Sequence, residues 1–454
     1  MNHLHLSSDF NYLNNRSTDR GYVVAKNGAV SVVNSDAMDL LTGADRSWLS
    51  DPDYTPFVDR AVGAGWLVDA PAPRAPSVRS IERRIHLRRV QYEVNLFCNL
   101  ECAHCYCLAS PSASQGLSTE FAKDLIRQAA ELGALHFDIT GGEPMLRKDI
   151  FELVEEIVRQ GMIPSIFTNA TTITAEKAAR LKELGLAAVQ TSLDARSPEL
   201  HDEFRGSKGA FERTVRGIRE LKAAGIGVSV TTCLNKRNAH ELPAIVKFLK
   251  EDLAVPYRLD RVINAGRGLE HDSPIALTND EFYLLLRSLL RERPDAVTKK
   301  VCDAVNLAAT EVIEPGCGVG AWYMFIKHDG RAAICPTMTE AESTAFAQAD
   351  LKAMSLAEAW ESHPTFNLFR GVQCENTAVC PTGKSCRGGC RSNAYLIEGR
   401  VDAPDELHCN LQKNGGDDYV PFIAEYERRR AVGELPSRPA VARFSAARRL
   451  RVIG

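Results

Sequence analysis

Three cysteines fall within eight residues, Cys98-Asn-Leu-Glu-Cys102-Ala-His-Cys105, and no other feature narrows the fold and chemistry of this chain as much. With 13 cysteines in 454 residues, the chance that any one is followed by two more at these offsets is about one per cent. A disulfide framework needs an oxidising compartment and usually a small domain. The opening MNHLHLSSDF is polar, lacks the apolar segment of a secretory signal, and no run approaches a membrane span. The cysteines therefore read as ligands, and the expected location is cytoplasmic, with no membrane partner. Three thiolates on one short loop can hold three irons of a 4Fe-4S cube and leave the fourth open. Zinc is the competing reading, but zinc loops favour paired Cys-x-x-Cys elements and four protein ligands.

The rest of the chain supplies a scaffold for that loop. An apolar content of 44% can bury a core for two or three domains. A net charge of -3 gives no footprint for nucleic acid, and the runs Arg83-Arg84 and Arg428-Arg429-Arg430 read as solvated helix faces. The Pro- and Ala-rich stretch 70–80 reads as a linker and sets off residues 1–75 as a small α+β domain. Within it, two β-rich runs flank Asn27-Gly28, a hairpin signal, and helices are expected from Ser35 and through Phe57 to Gly65. From Val90 short apolar runs alternate with amphipathic helices, the signature of βαβ units. Strands are expected at Gln91–Phe97, Leu135–Ile139, Pro164–Thr168, Ala187–Ser192, Gly227–Thr232 and Pro256–Val262. Six units give an α/β fold with a partial (β/α)6 TIM-like barrel over 85–270, whose functional residues gather at the C-terminal ends of the strands. Residues 413–454 read as a helical basic tail.

The loop Cys98-Asn-Leu-x-Cys102-x-His-Cys105-Tyr106 resembles the signature of the radical S-adenosylmethionine superfamily, in the wording of its peptide-modifying branch. Three further stretches match that family in order, at predicted strand ends: Gly141-Gly142-Glu143-Pro144, Ser192-Leu193-Asp194, and His201-Asp202-x-x-Arg205. Thr168-Asn169 is similar to the family's Thr-Asn-Gly, with Ala170 in place of Gly. The resemblance implies that Cys98, Cys102 and Cys105 bind the cluster and that S-adenosylmethionine chelates its open iron. It further implies that Gly141, Gly142, Glu143, Pro144, Ser192, Asp194 and Arg205 surround this cofactor. The two glycines would let backbone approach the ligand, Glu143 accept from its ammonium, and Arg205 clamp a carboxylate, unless Arg205 is an ordinary surface residue. One-electron cleavage of the sulfonium would then give a 5'-deoxyadenosyl radical that takes hydrogen from an unactivated C–H, with a flavodoxin- or ferredoxin-type protein as electron donor. Cys107 reads as a structural thiol.

A second cysteine group follows. Cys317, Gly330 and Cys335 are spaced Cys-x(12)-Gly-x(4)-Cys, with an Asp329-Gly330 turn between two β-rich runs, and Cys374, Cys380, Cys386, Cys390 and Cys409 lie downstream. This order over 300–412 resembles the SPASM extension, which holds two auxiliary 4Fe-4S clusters. The resemblance implies one cluster on Cys317, Cys335 and Cys390 and another on Cys374, Cys380, Cys386 and Cys409, although five residues separate Cys374 from Cys380 where the family has two. A fourth ligand for the first cluster is either Cys302 or absent, which would leave an iron open to substrate.

The leading expectation is a maturase that forms a thioether, carbon–carbon crosslink or related change in a ribosomally made peptide. The domain 1–75 would then resemble a winged-helix leader-recognition element working by strand addition, or else serve only for packing. Formylglycine formation in a protein is the second reading, and a cluster- or zinc-bearing binding protein without turnover the third. The sequence offers no catalytic acid or base. Fully reconstituted protein should hold about twelve irons, four for each of three cubes; a reproducible value near four by iron analysis would remove the auxiliary clusters.

Overall fold

The computed structural model describes residues 4–45, 47–69, 75–263, 265–270, 275–292, 318–338, 346–378 and 389–405. Cys302, Cys317, Cys380, Cys386, Cys409 and the tail 413–454 lie outside the described residues.

The amino-terminal region contributes β1 (His5–Leu6), β2 (Phe10–Asn15), β3 (Arg20–Ala25), β4 (Val30–Val33), α1 (Ser35–Thr42), α2 (Thr55–Gly63), β5 (Leu67–Val68) and β6 (Val78–Ile81). The expected hairpin forms between β3 and β4, where Gly28 adopts φ +88° and the Asn27 carboxamide accepts from Ala29 N at 3.0 Å. β6 lies within the stretch read as linker: it pairs parallel with β2 and completes a sheet ordered β4-β3-β2-β6. Four residues are too few to show alternation, and the preceding prolines mask them. One sheet face packs Tyr12 and Val23 against Met38 and Leu41 of α1 and Val58 of α2. The other buries Leu13, Tyr22 and Val24 against Leu135, Ile163 and Ala187, at the starts of barrel strands. Arg79 fastens this joint by donating to Ala130 O and Ala134 O at 3.2 and 2.9 Å.

All six expected barrel strands form. They are β7 (Arg89–Glu93), β8 (His136–Thr140), β9 (Ile163–Phe167), β10 (Ala188–Ser192), β11 (Gly227–Leu234) and β12 (Tyr257–Arg261), parallel and in sequence order. Helices α3 (Thr119–Glu131), α4 (Ile150–Arg159), α5 (Ala175–Glu183), α6 (Pro198–Arg205), α7 (Ala210–Ala223) and α8 (Leu242–Lys247) fall between them. Ser118 caps α3 by accepting from Phe121 N. Val90, Tyr92, Phe137, Ile139, Ile166 and Val189 point outward into a core shared with Leu125, Ile126, Leu153, Val154 and Ile157. Burying each such side chain contributes roughly 1.5–3 kcal/mol. The inward positions are polar instead: Arg89 pairs with Asp138, which accepts from Ser165, and Gln190 donates to Thr231 at 2.9 Å. A closed barrel fills its interior with branched apolar layers; this one keeps a polar lining.

Two differences from the expected layout matter for the site. β7 ends at Glu93 rather than Phe97, because Leu96 N and Phe97 N both turn to Ser114 O. The Asp329-Gly330 hairpin, β13 (Tyr323–Ile326) with β14 (Arg331–Ala333), does not stand apart. β13 pairs parallel with β7, and with β15 (Ala349–Asp350) the sheet reaches nine strands, β12-β11-β10-β9-β8-β7-β13-β14-β15. Arg83 and Arg84 lie in the connector before β7, not on a helix. Capping boxes close the helix starts at Thr278 to Glu281 and Ser355 to Glu358.

Gly217 of α7 lets that helix touch the turn after β9, since a Cβ there would lie 2.2 Å from Ala170 O. Helix propensity alone favours Gly217→Ala by about 1 kcal/mol. The collision reverses the sign, and urea unfolding should show a loss of about 1–3 kcal/mol; a more stable variant would mean the contact is looser than described.

Candidate active site

The three loop cysteines come together. Cys98, Cys102 and Cys105 pack in one group with Leu100, Ala109, Ala210 and Cys107 at the C-terminal mouth of the barrel. Polar hydrogens point at the sulfurs: Leu100 N and Asn169 Nδ2 lie 3.4 and 3.9 Å from Cys98 Sγ, and Arg205 Nη1 lies 3.8 Å from Cys102 Sγ. Burial pushes the Cys98 thiol up to about 12 and raises Cys102 too, against the pull of Arg205. Cys107 Sγ lies 3.6 Å from Cys105 Sγ, and the contact between the two thiols lowers Cys105 and raises Cys107. His104 stacks on Phe204 with centroids 4.4 Å apart, and burial lowers it to about 3, which keeps the ring neutral.

Gly141 and Gly142 follow β8. A Cβ on Gly141 would lie 2.5 Å from Asn95 Oδ1, and one on Gly142 would lie 2.5 Å from Leu96 O and Phe97 O. Their bareness thus seats the chain that leads into Cys98, with Gly142 N donating to Asn95 O and Glu143 N to Phe97 O, each at 2.9 Å. Glu143 is fully buried and its carboxylate is engaged. Oε1 accepts from Met145 N at 2.9 Å and Thr168 Oγ1 at 2.6 Å, and Oε2 from Asn169 N at 2.7 Å. Burial raises its pKa even so. The carboxylate expected to accept from an ammonium also braces two loops. Pro144 opens a single 3-10 turn and is buried. Ala170, where glycine was anticipated, sits at φ +60°, a left-handed conformation that explains the preference for glycine there.

Ser192 ends β10 half-buried, in register with Thr231. Asp194 is buried: Oδ2 accepts from Arg205 Nε at 2.6 Å and Oδ1 from Cys233 N at 2.9 Å, while Asp194 N donates to His201 Nδ1 at 3.2 Å. Burial works against both charges, yet each partner holds the other ionised, with Asp194 lowered and Arg205 raised. Arg205 is thus no surface residue. Its guanidinium already faces a carboxylate of the protein and a triad sulfur.

Sequence reasoning missed two features of the mouth. Cys233, near the end of β11, lies within electrostatic reach of Asp194, Asp260 and Cys102. Glu93, last residue of β7, accepts from His328 Nδ1 at 2.7 Å. One rung below, Tyr323 donates to Gln91 Oε1 at 2.5 Å. The signal for Glu93 was present, since a carboxylate ending a barrel strand at an inward position is where function gathers.

Of the downstream cysteines, Cys335, Cys374 and Cys390 are described. Thr337 hydroxyl meets Cys335 Sγ at 3.1 Å and Ser392 Oγ at 2.7 Å, joining the hairpin to the helix that begins after Cys390. Cys390 N donates to Asp405 Oδ2 at 2.8 Å. Cys374 is buried, and the next residue, Glu375, donates its N–H to Asp402 O at 2.8 Å. No helix among the described residues is long and apolar enough to cross a membrane.

Residues 92–249 match the Radical SAM superfamily. The chain is 27% identical over 332 residues to an AdoMet-dependent heme synthase of Methanosarcina barkeri, covering 69% of this chain and 93% of that one. It is 28% identical over 323 residues to the mycofactocin maturase MftC of Mycobacterium tuberculosis, covering 69% and 81%. The fold matches that of Streptococcus suis SuiB bound to precursor peptide SuiA with a TM-score of 0.62 at 15% identity, covering 89% of this chain and 99% of that one. An enzyme is thereby established, and the reading as a binding protein without turnover falls. The cysteine loop, the braced strand ends and these likenesses agree: the chain carries a radical SAM domain over residues 92–249, the domain of enzymes that use a 4Fe-4S cluster and S-adenosylmethionine.

Proposed function

We propose that this enzyme modifies a ribosomally made peptide at a C–H bond and receives the peptide's leader on strand β4. The observation that carries the reading is the open edge of the amino-terminal sheet. Ala25 N donates to Ala29 O, and the register β3 to β4 alternates from there, so Val30 and Val32 turn their N–H and C=O away from β3. No partner for these groups is found among the described residues, and Val32 is 40% exposed. An extended peptide can add there as a fifth strand. The likeness to SuiB, described with its precursor peptide, and to a mycofactocin maturase supports the reading. The likeness to heme synthases supports a second one, a tetrapyrrole substrate, which needs no open strand edge. Formylglycine formation likewise leaves β4 without a task.

The donor set fits the family's cluster. Three thiols share one loop, and N–H groups of Leu100, Asn169 and Arg205 stand ready to offset the charge of thiolates. Cys98, Cys102 and Cys105 would hold it. When bound, the cluster and S-adenosylmethionine supply a carbon radical able to take hydrogen from an unactivated C–H bond. Gly141, Gly142, Pro144 and Ser192 would border S-adenosylmethionine, while Glu143 and Asp194 act through the loops and the guanidinium they hold. Arg205 places a fixed positive charge beside Cys102. Cys335 and Cys390, joined through Thr337 and Ser392, would share one auxiliary cluster with Cys317 and Cys302. Cys374 would join Cys380, Cys386 and Cys409 on the other. A flavodoxin- or ferredoxin-type donor would supply electrons.

Replacing Cys98, Cys102 and Cys105 together by Ala should abolish 5'-deoxyadenosine formation, read by chromatography; retained cleavage would remove the assignment. The leader reading has its own test. Deleting the amino-terminal sheet would also bare the barrel floor, so a point change is cleaner: Val32→Pro removes one outward N–H and spares the β3 pairing. It should weaken precursor-peptide binding about tenfold, by roughly 1.4 kcal/mol for one strand hydrogen bond and the distorted edge. Unchanged affinity in a fluorescence titration would leave the domain a packing role only.

A further inference from the structure

The buried Glu93–His328 pair is not accounted for by cluster or S-adenosylmethionine binding. Both residues stand at the mouth of the barrel, Glu93 at the C-terminal end of β7 and His328 in the turn that follows β13. The sheet register brings them near each other: Ile326 pairs with Tyr92, so Glu93 ends its strand beside the turn that carries His328 two residues past Ile326. Glu93 Oε1 accepts twice from His328, from its backbone N at 3.3 Å and from Nδ1 at 2.7 Å. The Glu93 side chain is 4% exposed and the His328 side chain 17%. A carboxylate at Nδ1 fixes the proton on that nitrogen and leaves Nε2 with its lone pair. Among the described residues no hydrogen-bond partner of Nε2 is found, and part of the imidazole side chain is open to solvent. The charge of Glu93 is felt by Tyr106 and Cys107, directly beyond the last cysteine of the triad loop.

We propose that His328 is the proton acceptor for the substrate, with Glu93 as its positioning residue. The proposal rests on the peptide reading above and specifies the substrate: a residue whose reacting carbon becomes bonded to a heteroatom that starts with a proton, a thiol, hydroxyl or amide. The carbon gives up a hydrogen atom to the radical derived from S-adenosylmethionine. The heteroatom gives its proton to Nε2, and the carbon–heteroatom bond forms. The one remaining electron leaves to an acceptor of the iron–sulfur class. The imidazolium that results is stabilised by the Glu93 carboxylate, the role a buried carboxylate plays behind a catalytic histidine.

Two measurements test this in full-length reconstituted protein. Diethyl pyrocarbonate should acylate His328 at Nε2, located by peptide mass spectrometry, because an acceptor nitrogen has to be open. An unreactive His328 overturns the proposal whatever the substrate is. Next, a precursor peptide carrying deuterium at the reacting carbon is followed for deuterium reaching 5'-deoxyadenosine and for finished product. In His328→Gln the product formed per deuterium transferred should fall by about 10²-fold, the lower end of what a general base contributes. Glu93→Gln, which keeps the shape but can no longer fix the tautomer, should lower the same ratio in the same direction with the iron content of the parent. A ratio equal to that of the parent in both variants overturns the proposal. Absence of deuterium transfer from any precursor peptide in the parent enzyme would instead sink the peptide reading, and the acylation result alone then judges whether the histidine is open.

Discussion

Glu143 is the point on which the site's geometry depends. Its buried carboxylate takes hydrogen bonds from its own turn, at Met145 N, and from the turn after β9, at Thr168 and Asn169. Asn169 in turn donates to Asn99 Oδ1 at 3.0 Å, inside the cysteine loop, and its backbone carbonyl accepts from Thr214 of α7. One side chain thus ties together the loops that follow β7, β8 and β9. Removing a buried carboxylate that serves three donors would strand those donors, each at a cost of about 1–3 kcal/mol. The two glycines beside it add a steric condition, since any side chain there would displace the backbone that leads to Cys98. The mouth of the barrel is therefore set by polar bracing between loops, while the apolar core between sheet and helices fixes only where those loops begin.

The second brace is the Asp194–Arg205 pair. A buried ion pair is weak support for stability, because desolvation offsets much of the attraction. Its value here is positional. Asp194 is locked by Cys233 N, His201 and Asn238 as well as by Arg205, so the guanidinium is held at Cys102 before any cofactor arrives. A positive charge fixed beside the Cys102 sulfur lowers the cost of forming the thiolate there, in opposition to the burial that raises it.

The sequence made the barrel legible because its signals are local. Short apolar runs between amphipathic helices marked all six strands, and motif spacing marked the cysteine loop and the stretches at Gly141, Ser192 and Arg205. Long-range pairing left no such trace. Nothing in AWYMFIKH says that it will hydrogen-bond to β7, and Glu93 and His328 meet across a separation of 235 residues. The strand Val78–Ile81 was hidden for a related reason, since its partner among the described strands, β2, lies more than sixty residues earlier. Roles within a motif were also hard to read. Glu143 and Arg205 were found by pattern, but whether each faces a ligand or the protein depends on partners in other loops.

The placement of the amino-terminal sheet has a consequence for any peptide it receives. Leu13, Tyr22 and Val24 cover Leu135, Ile163 and Ala187, so that sheet sits under the starts of the barrel strands, while the cysteine loop stands at their ends. Strands of five residues put roughly 17 Å between those two levels. A fully extended chain spans at most about 3.5 Å per residue, so a peptide held on β4 needs at least about five residues to reach the mouth, and more to pass around the outside. On the proposed reading, recognition and chemistry must therefore act on separate segments of the substrate. The segment that pairs with β4 contributes backbone hydrogen bonds and tolerates many side chains. Selection of the reacting residue then falls to the polar lining of the barrel and to the groups at its mouth, where a charged or hydroxyl-bearing side chain finds partners and an apolar one does not.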